Sequence, residues 1–543
     1  MTIAIPTQTE KCKGAMLATA IGDALGWPNE PRSKNRIKRP KITDHFVEWI
    51  RSSSNPRWHD EKILPGEYSD DTQMTLSVAR SIIAGDWENF LIERELPFWL
   101  TYERGGGGAL LKAAKSYSMG DMQLWRSKYA LAYFNAGGNG AAMRILPHVI
   151  ATAKRPNIDA LMLDVARDTL ITHGHPRAFL GATCYAYALE YLLRKNTVLE
   201  YGELVSAVID GQNNWGAFLD PDIFGDWLHI VSSQCGYNFS AEWERTRIHM
   251  VKQLEFISVS LNKGLILDDI KVLTELECFG TANGAGDIAA LAAIYLASRY
   301  ANNPSVGIKI PAFSFGADTD TIASMTGGLV GMLSGTSWIP SEWKLVQDYN
   351  CLLQLTELLL ADNKKEAAKT EVAEVNVQDG SWIATPIGKM RLIDLIKVPN
   401  GKHGMVIIRK WQTMLGQTLY TKEFQANDPD SHPRQSDEQA QLSQQLTLYD
   451  LSESPSLKFV PPAPMHENTP RQMDLQKASG QFILDANSVL ALLSNSQLKK
   501  NITIGKTLKI ILALIEGNKS NAAIAKQLEV DLAMVNVLRH FVK

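Results

Sequence analysis

Most of the chain up to about residue 369 carries apolar residues at the three- and four-residue spacing of amphipathic helices. Alternation of apolar and polar residues, the strand pattern, is scarce in this region. The pattern therefore predicts one large all-α, multi-helix domain over residues 10–365. Its clearest helical segments are Ala109–Tyr117, Leu161–Thr172, Pro176–Leu193, Asp287–Tyr300 and Leu345–Leu360.

A small β-rich module is predicted downstream, over residues 373–425. Short runs of β-prone residues alternate there with turns that contain Gly and Asn, which is typical of strands rather than helices. These runs are Ser381–Pro386, Gly388–Val398 and Gly404–Trp411.

The remainder of the chain is predicted to be a linker followed by a helical module. Residues 426–478 are rich in Asp, Ser, Gln and Pro, which is the composition of a linker. Residues 480–543 regain helical periodicity and resemble a helix-turn-helix. Between Leu498 and Lys543 there are eight Lys and Arg against three Asp and Glu, a balance that suits phosphate contacts. A DNA partner and a protein partner both remain open for this module.

The overall composition is that of a soluble globular protein, with 45% hydrophobic and 21% charged residues. The net charge of −3 excludes a polycation. Five cysteines lie far apart and never as CxxC, so neither a disulfide framework nor a cysteine zinc site is expected. We find no apolar signal-peptide core and no membrane span, and we expect a cytoplasmic protein.

Four carboxylates lie in two short clusters, and each cluster precedes a helix-like run. Ser69–Thr72 contains one pair, and Gly316–Thr321 contains the other. Helix capping needs one side-chain oxygen at a helix start, and acids there suit the helix dipole. Paired carboxylates beside hydroxyls are also the ligand set of Mg²⁺ and Mn²⁺. At the level of the residues, capping and a two-ion metal centre both remain open.

Two glycine-rich stretches are candidates for phosphate binding. Arg104–Gly108 and Gly137–Arg144 would let backbone N–H groups approach a phosphate without side-chain obstruction. Neither stretch is a Walker A motif or a dinucleotide fingerprint, so flexible turns are an equally good interpretation. Near the start of the chain, the small residues of Gly14–Gly26 permit close helix packing.

Taken together and in their order along the chain, five motifs resemble the ADP-ribosylglycohydrolase family. The resemblance covers roughly residues 10–360, and it implies an all-α fold with a binuclear Mg²⁺ or Mn²⁺ centre. It also implies hydrolysis of the glycosidic bond between ADP-ribose and a protein side chain or a nucleic acid. The five motifs are Gly22–Glu30, Ser69–Thr72, Gly137–Arg144, Thr172–Pro176 and Gly316–Thr321.

The resemblance also implies roles for individual residues. Asp71 or Glu30 would handle the proton, with the acid and base roles unassigned. The segment Phe279–Asp287 departs from the family pattern and is expected to shape the pocket. The implied metal ligands are Ser69, Asp70, Asp71, Asp318, Asp320 and Thr321. The implied substrate contacts are Gly107, Asn139, Gly140, Ala141, Met143 and His173.

The sequence leaves three functions open. The first is an enzyme that removes ADP-ribose from a protein or a nucleic acid, and the intact acids favour it. The second is a catalytically silent ADP-ribose-binding regulator whose tail binds DNA or protein. The third is another di-metal hydrolase acting on a nucleotide, against which the Gly137–Arg144 motif argues.

Overall fold

The computed structural model describes residues 5–36, 41–53, 59–368, 381–399 and 404–426. Helices dominate the first three of these ranges, and a four-stranded sheet forms the last two. The helices are α1 (Gln8–Gly26), α2 (Asp70–Ala84), α3 (Trp87–Phe90), α4 (Leu96–Trp99), α5 (Gly108–Ser118), α6 (Ala130–Phe134), α7 (Leu146–Ala151), α8 (Ile158–Thr172), α9 (Pro176–Arg194), α10 (Glu203–Asp210), α11 (Gln212–Trp215), α12 (Pro221–Gln234), α13 (Phe239–Leu261), α14 (Asp269–Glu275), α15 (Gly286–Arg299), α16 (Pro304–Ala312), α17 (Thr319–Ser334) and α18 (Tyr349–Leu360). Shorter 3-10 segments lie at Trp27–Asn29, Leu124–Arg126, Ala142–Arg144, Gly264–Ile266 and Ser341–Leu345, and a π-helical segment, Leu91–Glu95, joins α3 to α4.

The predicted helical segments are confirmed, with one correction at a boundary. The last of them begins at Tyr349 rather than Leu345. Asp348 adopts a left-handed conformation with φ 60°, which interrupts the helix there. Its Oδ2 accepts hydrogen bonds from the Tyr68 hydroxyl (2.6 Å) and from the Thr418 N–H (2.9 Å), so contacts far along the chain fix this turn.

The helical domain also contains a small ribbon of two strands, so the all-α prediction is wrong in this detail. Strands β1 (Trp49–Arg51) and β2 (Glu61–Ile63) pair antiparallel, with Trp49 opposite Ile63. Trp49 packs edge-on against Trp27 at 5.0 Å between ring centroids. Three residues are too few to display the alternation by which a strand is recognised.

Helices α1 and α17 form the centre of the domain and run antiparallel in close contact. A Cβ added at Gly14, Gly22 or Gly26 of α1 would overlap the backbone of α17. In return, Gly327 and Gly331 of α17 face the backbone of α1. This close approach places the segment after α1, which carries Glu30, beside the first turn of α17.

The predicted β-rich module is an antiparallel sheet of strands in the order β3-β4-β5-β6. Its core residues Met390, Trp411 and Leu419 belong to the same apolar core as the helices. The three predicted runs form the first three strands, whereas the sequence analysis did not assign the fourth. The strands are β3 (Trp382–Thr385), β4 (Gly388–Pro399), β5 (Gly404–Thr413) and β6 (Thr418–Ala426).

Two further predictions lie almost wholly outside the described residues. These are the linker over residues 426–478 and the helix-turn-helix-like module over residues 480–543. The domain boundaries remain predictions for the same reason. Within the described ranges, no helix combines the length and the apolar character needed to cross a membrane.

Candidate active site

A cavity of about 360 Å³ opens where the first turns of α2 and α17 meet the segment that follows α1. Eleven of the thirteen residues singled out from the sequence line it, and two, Ser69 and Ala141, lie behind the lining. The eleven lining residues are Glu30, Asp70, Asp71, Gly107, Asn139, Gly140, Met143, His173, Asp318, Asp320 and Thr321. The structure thus brings the two acidic clusters and both glycine-rich stretches to one place.

The start of α2 is held by groups other than its own paired acids. The Ser69 hydroxyl caps the helix by accepting the N–H of Asp71 (3.2 Å). From α1, the buried carboxylate of Asp23 accepts the Ser69 N–H (3.0 Å), the Thr72 N–H (3.0 Å) and the Thr72 hydroxyl (2.6 Å). The carboxylates of Asp70 and Asp71 are therefore free of a capping role.

The start of α17 follows the same plan. Asp318 occupies the N-cap position, but its side chain makes no capping hydrogen bond. Glu30 takes that role, because its Oε1 accepts both the N–H and the hydroxyl of Thr319 at 2.7 Å each. Asp318 Oδ2 instead accepts the side-chain N–H of Asn139 (2.9 Å) across the cavity. The capping interpretation therefore fails for this acid.

Mutual repulsion among buried carboxylates is the main electrostatic feature of the site. Burial raises the pKa of Asp70, Asp71 and Asp320 well above the usual range, and neighbouring acids raise it further. Burial and the charge of Asp318 raise the pKa of Glu30 to about 7. Such a cluster is stable at neutral pH only when protons or cations neutralise it.

The residues present fit a divalent cation. Carboxylate oxygens of Glu30, Asp318 and Asp320 all lie within 4.8 Å of one another. Asp71 Oδ1 is buried and has no hydrogen-bond partner among the described residues. An orphaned carboxylate oxygen beside a converging set of hard oxygen donors is what Mg²⁺ or Mn²⁺ would satisfy.

The second glycine-rich stretch forms a rigid wall of the cavity. The Asn139 N–H donates to the Gly284 carbonyl (2.9 Å), and the Gly286 N–H donates to the Gly137 carbonyl (3.0 Å). These bonds tie the loop to the segment Phe279–Asp287, where Gly284 also lines the cavity. The expectation that this atypical segment shapes the pocket therefore agrees with its position.

A buried ion pair and a neutral histidine support this wall from behind. Arg144 donates to the Gly140 carbonyl (3.2 Å) and pairs with the buried Asp168 at 2.7 Å. Burial, together with Arg144, lowers the pKa of His173 to about 3, so the ring is neutral near pH 7. His173 Nδ1 lies 2.7 Å from the Thr172 hydroxyl, and its ring packs under Gly140.

Sequence reasoning missed two contributors to this site, the carboxylates of Asp23 and Asp168. Asp23 stands inside the quoted motif Gly22–Glu30, so its motif position was the available signal. Asp168 gave no comparable signal, because it lies outside the motifs and its partner Arg144 is 24 residues away along the chain.

Three known proteins show how far the similarity of the chain to its relatives extends. YegU of Escherichia coli (strain K12), an uncharacterised protein, is 27% identical over 352 residues, covering 63% of this chain and 92% of that protein. The ADP-ribosyl-dinitrogen reductase glycohydrolase of Rhodospirillum rubrum is 31% identical over 180 residues, or 32% of this chain and 54% of that enzyme. ADP-ribosylhydrolase ARH3 of Xenopus tropicalis is 24% identical over 354 residues, or 61% of this chain and 89% of that protein.

The family match itself is broad. The sequence profile described as ADP-ribosylglycohydrolase matches residues 4–369, a range that contains all five motifs and ends before strand β3. The resemblance inferred from the motifs is confirmed, and the chain belongs to the ADP-ribosylglycohydrolase family of glycoside-cleaving hydrolases.

Proposed function

We propose that the chain is a metal-dependent hydrolase that cleaves the glycosidic bond between ADP-ribose and a protein side chain. The observation that carries this proposal is that, at both helix starts, the residues that cap the helix differ from the acids that line the cavity. Ser69, Asp23 and Glu30 satisfy the backbone, while Asp70, Asp71 and Asp318 make no capping hydrogen bond and line the cavity. A protein rather than a nucleic acid is favoured because the Rhodospirillum rubrum relative is named for an ADP-ribosylated protein, dinitrogen reductase.

The lining suggests how ADP-ribose would lie. Backbone N–H groups around Gly107 and along Asn139–Met143 suit the diphosphate, because they offer hydrogen bonds without bulky side chains. The acids on the opposite wall suit the hydroxyls of the distal ribose. His173, neutral and fixed by Thr172, supports the loop between the two regions.

Proton transfer falls to Glu30 or Asp71, two of the carboxylates that line the cavity. Water adds to the anomeric carbon, the bond to the side-chain nitrogen or oxygen breaks, and the leaving group takes up a proton. Both Glu30 hydrogen bonds reach Oε1, so Oε2 makes none within the described residues. Glu30 or Asp71 would accept the proton of the water and return it to the leaving group.

Asp70, Asp71, Asp318, Asp320 and Thr321 would hold two Mg²⁺ or Mn²⁺ ions, together with the Ser69 hydroxyl that the family resemblance implies as a sixth ligand. Bound there, the ions would supply charge neutralisation, orientation of the ribose hydroxyls and activation of water. With the ions bound, the acids would hold the sugar in one orientation. The nearby carboxylates would also stabilise the oxocarbenium-like positive charge of the transition state.

The alternative of a catalytically silent ADP-ribose-binding regulator has less support. A binder has little use for buried like charges that raise one another's pKa, whereas a metal-dependent enzyme requires them. A DNA or protein partner for residues 480–543 stays a proposal carried by their basic balance alone.

The decisive test is release of ADP-ribose from ADP-ribosylated arginine, serine and DNA substrates, with and without Mg²⁺ or Mn²⁺. We expect ADP-ribose to be released from one of the two amino-acid-linked substrates, and only when metal is present. We also expect chelator to lower the melting temperature, because a ligand that binds only the folded state stabilises it by about 2.7 kcal/mol at a hundredfold excess over Kd. Full activity and an unchanged melting temperature in chelator would exclude the metal centre.

A further inference from the structure

A second cavity of about 340 Å³ lies between the ribbon β1–β2 and the sheet. The lining comes from both parts of the chain, with Arg32 and Arg51 on the helical side and Tyr420 and Lys422 on strand β6. Strand β6 begins at Thr418, well beyond residue 369, where the family match ends. This cleft is therefore completed by a part of the chain that the family does not specify.

The charges around the cleft do not balance. Glu61 alone serves three cations, since it pairs with Arg51 (3.4 Å), Arg104 (2.9 Å) and Lys422. Glu67 takes Arg104 (3.1 Å) and the Tyr420 hydroxyl (2.6 Å). The carboxylates of Glu61 and Glu67 are thus already engaged with these groups, and the third acid at the cleft, Glu103, binds backbone N–H groups through its Oε2.

Arg32 is the surplus cation. The residue is exposed at the rim, and its side chain makes no hydrogen bond or ion pair with any described residue. Partial burial and the adjacent positive charge of Arg51 lower its pKa, and the charges of Glu103 and Glu61 offset only part of this shift. An anion bound in the cleft would relieve this crowding of like charges.

The cleft adjoins the catalytic cavity through one short loop. Glu103 lines the cleft, and its Oε2 accepts the N–H groups of Gly105 (3.0 Å) and Gly106 (3.3 Å). Gly105 lines the catalytic cavity, where a Cβ at this position would lie 2.7 Å from Asp70 Oδ1. A polypeptide whose modified side chain enters the cavity can therefore reach the cleft across this loop.

We propose that the cleft formed by Arg32, Arg51 and Lys422 binds an acidic side chain of the ADP-ribosylated protein, close to the modified residue. The proposal rests on the proposed function and adds a specificity determinant to it. A protein carboxylate fits better than a nucleic-acid backbone, because Arg32 is the one cation of the cleft without a partner among the described residues, whereas nucleic-acid binding draws on a row of cations.

The test compares two peptides that carry the same ADP-ribosylated residue, flanked either by Glu or by Gln. We expect kcat/KM to favour the Glu peptide by about 3- to 10-fold, chiefly through KM and less so at high salt. Arg32→Gln should bring this ratio close to one, and Arg32→Glu should invert it. Lys62→Gln removes a charge from the same ribbon on a side chain that is 62% exposed and outside the cleft, so it should keep the wild-type ratio.

Equal turnover of both peptides by the wild type would overturn the cleft assignment and leave the proposed function standing. Absence of release from either peptide would instead count against the proposed function. In that case, fluorescence anisotropy still tests the cleft assignment, because it measures the affinity for each peptide directly. We expect the Glu peptide to bind more tightly than the Gln peptide by the same ratio. Stronger Arg32-dependent binding of single-stranded DNA than of the Glu peptide would also overturn it.

Discussion

At the scale of single residues, the site depends on which side chain caps which helix. Acids at a helix start ordinarily satisfy backbone N–H groups. Here Ser69 caps α2 and Glu30 binds the first N–H of α17, so Asp70, Asp71 and Asp318 make no capping hydrogen bond. Burial then makes their charges costly, and that cost is removed only when something positive binds.

Asp320→Ala tests this reasoning most directly. If Asp320 binds metal, the rate of ADP-ribose release should fall by orders of magnitude, because orientation of the sugar and activation of water are lost together. The fold should survive, since removing one carboxylate relieves repulsion. Asp318→Ala and Asp70→Ala should behave alike, and combining Asp70→Ala with Asp320→Ala should cost little more.

A capping aspartate outside the cavity provides the matched control. Asp220 caps α12 by accepting the N–H of Asp222 (2.9 Å). Asp220→Ala should cost about 1 kcal/mol of stability and leave the release rate unchanged. Near-normal turnover in Asp320→Ala at saturating metal would refute its assignment as a ligand.

His173 predicts a pH dependence of stability. An unfolded histidine binds a proton below about pH 6.5, whereas the folded His173 remains neutral down to about pH 3. Between these values the unfolded state binds more protons, so the free energy of unfolding falls as the pH falls. His173→Gln should make this decline shallower, by at most about 1.4 kcal/mol per pH unit.

Urea unfolding of the metal-free protein between pH 6.5 and pH 4 measures this slope. Metal is left out so that its own pH-dependent binding does not enter the comparison. His229→Gln, which removes an exposed histidine from α12, should keep the wild-type slope. Identical slopes for His173→Gln and the wild type would show that His173 does not resist protonation in the folded state.

At the scale of elements, the antiparallel pair α1–α17 sets the position of the acids. Small residues let the two backbones touch, and the contact continues to Gly26, four residues before Glu30. Gly22→Ala should therefore force the helices apart, lowering stability by about 1–3 kcal/mol and reducing activity. A thermal melt and a release assay measure the two effects.

Gly225 in α12 offers the control for this substitution. A Cβ added there meets nothing within 4 Å. Gly225→Ala should stabilise the protein slightly, because Ala is favoured over Gly in a helix by about 1 kcal/mol. If Gly22→Ala is as stable as Gly225→Ala, the two helices do not pack as closely as described.

Helical elements were predictable from the sequence because their apolar periodicity is long. The ribbon β1–β2 and strand β6 escaped prediction, since the first is too short to alternate and the second has polar residues on both faces. At the site, the paired acids predicted where the cavity lies. The sequence did not show that other residues cap the two helices in their place. That capping depends on Asp23 and Glu30, which reach the two helix starts from α1 and the segment after it.

At the scale of the whole described part of the chain, the sheet is built into the helical domain. Tyr420 binds Glu67, two residues before Ser69, and Lys422 binds Glu61. Arg104, held by both of these glutamates, directly precedes the loop that lines the catalytic cavity. The sheet therefore supports the segments that lead into the active site.

Leu419→Ala should consequently destabilise the helices as well as the sheet. Leu419 is 1% exposed within the shared core, so truncation should cost about 2–5 kcal/mol of stability. The helices and the sheet should still melt in one transition, at a lower temperature than in the wild type. Leu395→Ala makes the same chemical change on strand β4, where the side chain is 39% exposed, and should cost less than about 1 kcal/mol. Far-ultraviolet circular dichroism follows the helices during the melt, and release assays near the transition follow the site. If Leu419→Ala left the helical transition and the activity unchanged, the sheet would be an independent unit, and its contacts with Glu61 and Glu67 would not support the site.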